Sequence, residues 1–131
     1  MKIDIERMHL VLIDRQHSWL ERSAQALRRA GFEVDSLNHY DYPPANEGLA
    51  DTPPKLVILG CASIGQDEFD LINRILQHKD HLIVLSTSLP RTVMRSVFLV
   101  GADDVANKPY DPNRLVIMVN QVLRSIPSDD R

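Results

Sequence analysis

The sequence lacks most of the features that mark secreted, membrane or disulfide-stabilised proteins. Its 131 residues include a single cysteine, Cys61, which excludes an intrachain disulfide and a Cys-based zinc cluster. No apolar run approaches the roughly 20 residues that cross a membrane. The charged start, MKIDIERMHL, lacks the apolar stretch of a signal peptide. We therefore expect a cytoplasmic protein without membrane contact.

The chain also lacks an excess of positive charge. Fifteen Lys and Arg stand against 18 Asp and Glu, which gives a formal net charge of −3 without any basic block. Nucleic-acid surfaces are usually basic, so we expect no direct nucleic-acid contact by this domain. The length and the 44% hydrophobic content fit one globular domain. We expect that domain over residues 1–126, with a polar linker or tail starting at 127–131.

The motifs of the common nucleotide-dependent and hydrolytic enzymes are missing. No GxGxxG turn follows the first apolar run, and neither a P-loop nor a GxSxG nucleophile motif occurs. The five histidines have no carboxylate or thiol at metal-ligand spacing. These absences predict a protein that is not an enzyme and has no metal or cofactor.

Apolar runs alternate with helical patterns along the chain. Continuous runs such as HLVLI at 9–13, LVIL at 56–59 and LIVL at 82–85 are typical of strands buried on both faces. Ser18 and Glu21 have the spacing of a capping box, and Asp111 with Pro112 resembles the start of a final helix. The order predicts a doubly wound, five-stranded parallel sheet with helices on both faces.

One segment interrupts this alternation between the second and third strands. Proline pairs at 43–44 and 53–54 leave room for about two helical turns at most. We therefore expect a long loop with a shortened or missing second helix. For Trp19, in the first turn of the first helix, we expect packing beneath this loop, with an exposed contact role as the alternative.

In doubly wound folds, ligands bind beyond the carboxyl ends of the strands. The residues at those ends are Asp14, Arg15, Gly60, Cys61, Ser86, Thr87, Asn107 and Lys108. A thiol beside two cations could be reactive, but for Cys61 we favour a half-buried thiol without a role.

The segment GADDVANKPYDPNRL, from 101 to 115, closely resembles the receiver domain of two-component response regulators. VLIDRQ, LVILG and LIVLST are similar to the ends of that family's first, third and fourth strands. The resemblance implies a flavodoxin-like (βα)5 fold. It also implies a site with two carboxylates for Mg²⁺, a phosphate-accepting aspartate, a Ser or Thr, and a Lys followed by a cis-proline.

This sequence matches only part of that site. Asp14 stands at the first metal carboxylate, Ser86 at the hydroxyl position and Lys108 at the lysine. The second carboxylate, however, is replaced by Arg15, and the phosphoacceptor by Gly60. The aromatic residue that switches position in the family is replaced by Val105.

These replacements argue against phosphoryl transfer. Glycine has no nucleophilic oxygen, and Mg²⁺ prefers several hard oxygen ligands, of which Asp14 alone remains. Arg15 and Lys108 would also repel a metal ion. We therefore expect a vestigial, phosphate-free pocket in which Asp14 pairs with Lys108 or Arg15.

Two apolar residues fit the predicted core poorly. Leu99 shares its helix face with Arg95 and Ser96, and Ile117 lies among polar residues of the last helix. Single exposed apolar residues are normal, whereas a patch often marks an interface. Receiver domains commonly dimerise through these helices, so we regard an interface and chance as equally open.

These observations favour a degenerate receiver. We expect a phosphorylation-independent module for protein interaction or dimerisation in signal transduction or transcription regulation. It would lie N-terminal to an output domain, with a stand-alone adaptor as the other arrangement. The alternative is a domain that senses a small molecule or anion beside Arg15 and Lys108. A working receiver with an unconventional acceptor is a weaker third possibility.

Overall fold

The computed structural model describes residues 8–43 and 56–126. Its strands are β1 (His9–Ile13), β2 (Glu33–Leu37), β3 (Leu56–Cys61), β4 (Leu82–Ser86) and β5 (Asp104–Asn107). Its helices are α1 (His17–Arg29), α2 (Gln66–Gln77), α3 (Arg91–Val100) and α4 (Pro112–Ser125).

The five strands form one parallel sheet in the order β2-β1-β3-β4-β5. Strands β1, β3 and β4 are buried along their whole length, as expected for strands that are covered on both faces. The predicted five-stranded, doubly wound sheet is therefore confirmed.

Two hydrophobic clusters cover the two faces of the sheet. One joins α1 and α4 through residues such as Leu20, Leu27 and Leu115. The other joins α2 and α3 through residues such as Ile72 and Val97. Because β1 and β3 contribute to both clusters, their carboxyl ends are fixed from both sides. These ends carry the candidate site.

The N-terminal caps predicted for α4 and α1 have different outcomes. Asp111 caps α4 as predicted, since its side chain accepts a hydrogen bond from the Asn113 amide at 3.0 Å. The capping box predicted at Ser18 is wrong, because α1 already begins at His17 after Gln16. The helix thus starts two residues earlier than the box requires, and Asp14 Oδ1 accepts a hydrogen bond from the amide of its N-cap residue, Gln16.

The shortened second helix was predicted between prolines 43–44 and 53–54, and the linker at 127–131. Both predictions fall largely or wholly outside the described residues. Among the helices of 8–43 and 56–126, none is long and apolar enough to cross a membrane.

Candidate functional site

The sheet register brings four of the predicted site residues together. Asp14 directly follows Ile13, which pairs with Leu59 of β3, so Asp14 lies beside Gly60. Ser86 pairs with both neighbouring strands, and its carbonyl oxygen accepts a bond from the Lys108 amide at 2.9 Å. The carboxyl ends of β1, β3, β4 and β5 thus form one site.

A buried ion pair lies at the centre of this site. Lys108 Nζ is 2.7 Å from Asp14 Oδ2, and the two side chains are only 6% and 2% exposed. This contact is an ion pair between two buried side chains. Lys108 donates to Gln16 Oε1 at 2.9 Å, and Asp14 Oδ1 accepts from the Gln16 amide at 2.7 Å. Gln16 therefore contacts both charges.

Trp19 forms one wall of the site, which the sequence did not indicate. It is buried in the α1–α4 cluster, and its Nε1 donates to the carbonyl oxygen of Pro109 at 3.3 Å. Its ring centroid is 4.6 Å from Lys108 Nζ, within the range of a cation–π interaction. Most of the loop beneath which Trp19 was expected to pack lies outside the described residues, so that expectation stays a prediction.

Gly60 is required by its surroundings. A Cβ atom there would collide with Asp14 Oδ2 and lie 2.9 Å from Trp19 Cζ3. A side chain at position 60 would therefore meet the Asp14 carboxylate and the Trp19 indole.

Arg15 points away from the ion pair. Its guanidinium carbon is 3.7 Å from the centroid of the Tyr40 ring, and its Nη1 is 3.6 Å from Asp67 Oδ2. Of the two partners expected for Asp14, the structure thus shows Lys108.

Ser86 in β4 and Val105 in β5 are both buried side chains. Ser86 is fully buried, and its hydroxyl donates to the carbonyl oxygen of Ser88 at 2.6 Å. Val105 is 3% exposed and belongs to the α2–α3 cluster. The resemblance implied a cis-proline after the lysine, but the Lys108–Pro109 bond is not cis. Among the described residues, the cis bond joins Tyr42 and Pro43.

Cys61 is a protonated thiol at neutral pH. Burial raises the pKa of its thiol to about 11, and Sγ faces the Leu85 carbonyl oxygen at 3.6 Å. Since the thiolate is the reactive species, these surroundings favour the role-free interpretation of this residue.

A cleft of about 530 Å³ opens beside the ion pair. It is lined by Asp14, Arg15, Gln16, Tyr40, Cys61, Ala62, Ser63, Glu68, Thr87 and Lys108. Two cations and two carboxylates balance each other in this lining. Within residues 8–43 and 56–126, no group of three or more His, Cys, Asp or Glu side chains could hold a metal ion.

The two predicted interface residues are both exposed. Leu99 on α3 is 77% exposed, and Ile117 on α4 is 57% exposed. These helices precede and follow β5, which is an edge strand of the described sheet.

Comparison with known proteins gives two kinds of similarity. No family model matches the chain. It is 27% identical over 125 residues to the transcriptional regulatory protein BaeR of Escherichia coli, covering 95% of this chain and 51% of that protein. It is 29% identical over 119 residues to the phosphate regulon transcriptional regulatory protein PhoB of Pseudomonas aeruginosa, covering 88% of this chain and 51% of that protein. The chain thus spans about half the length of these relatives.

Solved structures show the same fold. The non-phosphorylated HemR receiver domain of Leptospira biflexa superposes with a TM-score of 0.78 at 18% identity, covering 95% of this chain and all of that one. The chemotaxis protein CheY4 of Vibrio cholerae gives 0.75 at 17% identity, covering 89% of this chain and 99% of that one. The chain therefore has the flavodoxin-like fold of these solved receiver domains and is similar in sequence to the half-length region matched in these regulatory proteins.

Proposed function

We propose that this chain is a degenerate receiver that regulates its partners without being phosphorylated. The observation that carries the proposal is the surroundings of Gly60. Asp14 and Trp19 occupy the space that an acceptor side chain would need, and glycine itself offers no nucleophilic oxygen.

The ion pair supports the same proposal. Mg²⁺ in a phosphoryl-transfer site is usually held by carboxylates together with the phosphate oxygens. Here Lys108 neutralises Asp14 at 2.7 Å, and Arg15 contacts Asp67 and Tyr40 instead. A protein cation thus takes the place of the metal ion, and the site has no surplus negative charge to attract one.

Incubation with acetyl phosphate and Mg²⁺, followed by intact-mass measurement, tests this proposal. A receiver that carries the acceptor aspartate serves as the positive control. We expect no adduct on this chain, whereas phosphorylation would add about 80 Da, the mass of one phosphoryl group. A stoichiometric adduct would overturn the proposal and favour an unconventional acceptor.

We further propose that the module acts in the cytoplasm, N-terminal to an output domain that regulates transcription. The relatives BaeR and PhoB are named as transcriptional regulatory proteins and are about twice as long as the matched region. The matching structure of DrrB from Thermotoga maritima, an OmpR/PhoB homologue, is likewise covered over 54% of its chain. The coding sequence beyond Arg131 tests this part, because a chain without any following domain would contradict it.

Dimerisation is the interaction that the exposed residues support best. Leu99 and Ile117 would place apolar side chains at a contact between copies, where their removal from water is favourable. Sedimentation of Leu99→Arg and Ile117→Arg is expected to show a shift to monomer, with Gln25→Arg on α1 as the matched control. An unchanged oligomeric state in both variants would exclude this face.

Sensing of a small molecule or anion is the second candidate, and the cleft of about 530 Å³ supports it. The pairing of Lys108 with Asp14 and of Arg15 with Asp67 weighs against an anion. Thermal shift against phosphate and a metabolite panel separates the candidates. A saturable rise that is lost in Arg15→Gln would favour sensing.

A further inference from the structure

A short segment after β2 lies against α2 and borders the cleft. We call residues 38–43 the tyrosine strap, because Tyr40 and Tyr42 are buried while His39 and Asp41 are exposed. Both tyrosine rings belong to the α2–α3 hydrophobic cluster. The strap therefore fills part of the core without being a helix or a strand.

Polar side chains on and after α2 hold the strap. Arg74 donates to the carbonyl oxygens of Tyr40 at 2.6 Å and Tyr42 at 3.2 Å. The hydroxyl of Tyr40 donates to Glu68 at 3.0 Å, and that of Tyr42 donates to Asp80 at 3.0 Å. These bonds satisfy the polar groups that the buried rings bring with them.

Arg15 connects the strap to the loop after β1. Its guanidinium stacks on Tyr40 at 3.7 Å and lies 3.6 Å from Asp67 in the first turn of α2. Arg15 is 53% exposed and Asp67 is 70% exposed. Contacts as exposed as these are weak and exchange readily with water.

Cys61 lines the cleft that this contact borders. It is 4% exposed and shares this lining with Arg15, Tyr40 and Glu68. The Arg15–Tyr40 stack therefore borders the approach to the chain's single thiol.

We propose that Arg15, stacked on Tyr40 of the tyrosine strap, is a latch at the mouth of the cleft, and that its release opens a route to Cys61 without global unfolding. The buried hydrogen bonds of Arg74, Glu68 and Asp80 keep the strap attached to α2, while the exposed Arg15 contacts are the part that opens. The inference concerns access to the cleft and does not depend on the proposed function.

Alkylation of Cys61 by iodoacetamide at pH 8, followed by intact mass, measures opening of the latch. Arg15→Gln removes the cation from both contacts, and Arg15→Lys keeps the charge but loses the planar stack. Arg29→Gln, in the last turn of α1, makes the same change of charge elsewhere. Urea unfolding of each variant reports global stability.

We expect Arg15→Gln to react about 3- to 10-fold faster than the wild type, as the loss of two exposed contacts implies. Arg15→Lys should be intermediate, and Arg29→Gln should match the wild type. Equal rates for Arg15→Gln and the wild type would overturn the latch. A faster rate would also overturn the latch if the free energy of unfolding fell by an amount that accounts for the whole increase, because the thiol would then react through unfolding.

Discussion

At the scale of single residues, the site is defined by a charge pair that is almost fully removed from water. A buried pair of this kind contributes little net stability compared with apolar residues of the same shape, but removal of one partner leaves the other charge buried alone. Asp14 and Lys108 are therefore best regarded as one unit, with Gln16 and Trp19 as its fixed surroundings.

Lys108→Met is expected to lower the free energy of unfolding by about 3–5 kcal/mol, because Asp14 would remain charged and unpaired in the interior. The double variant with Asp14→Leu should recover most of this loss. Urea unfolding measures both effects, with Lys79→Met at an exposed position as the control. A Lys108 variant no less stable than the Lys79 variant would contradict the role of the pair.

Gly60→Ala is expected to cost about 1–3 kcal/mol, as overpacking of a filled site generally does. The added methyl group would press on Asp14 and Trp19. Gly65→Ala is the matched control, since a Cβ atom there meets only Glu68 Oε1 at an ordinary 3.5 Å. Thermal unfolding of the two variants should separate clearly, and equal melting temperatures would show that the site can expand.

At the scale of helices and strands, α1 and α4 begin in different ways. Helix α4 has a side-chain cap from Asp111, whereas α1 has no side-chain cap and begins where Asp14 accepts the Gln16 amide. The start of α1 thus depends on a residue of the site, whereas α4 is capped by the residue that directly precedes it.

Asp111→Ala is expected to lower stability by about 1 kcal/mol, while Asp111→Asn retains most of the cap. Ser18→Ala should change the unfolding free energy by less than about 0.5 kcal/mol, because an exposed side chain without a cap has little effect. A cost for Ser18→Ala similar to that of Asp111→Ala would reinstate the capping box at α1.

The sequence predicted the elements better than it predicted the site. Apolar runs at 9–13, 56–59 and 82–85 are local signals, and each became a buried strand. The contact of Trp19 with Pro109 joins residues 90 positions apart, and no local pattern encodes it. The orientation of Arg15 depended on Tyr40 and Asp67, which only the folded chain brings within reach.

At the scale of the whole molecule, buried acidic groups make stability depend on pH in the alkaline range. Burial raises the pKa of the Cys61 thiol from 9.0 to about 11. Burial and the neighbouring carboxylates raise the pKa of the Tyr40 and Tyr42 hydroxyls as well. For such groups the unfolded chain loses its protons first, so the folded state is progressively disfavoured as pH rises.

We therefore expect stability from Cys61 to be complete below about pH 9, the ordinary thiol pKa, and lost as pH rises through about 11. The melting temperature of the wild type should fall more steeply over this interval than that of Cys61→Ala. The tyrosines add a decline in the same direction in both proteins. Identical slopes would mean that the thiol titrates normally in the folded chain.

The contact of Trp19 with Lys108 and Pro109 has a consequence for how this protein can be observed. The chain has one tryptophan, and its indole touches the end of the last strand from the first helix. Trp19 and Pro109 are 90 positions apart, so their contact closes a long stretch of chain at an entropic cost. The fluorescence of the indole therefore depends on whether this long-range contact has formed. A shift in its emission during refolding would mark the moment when the sheet is joined from β1 to β5.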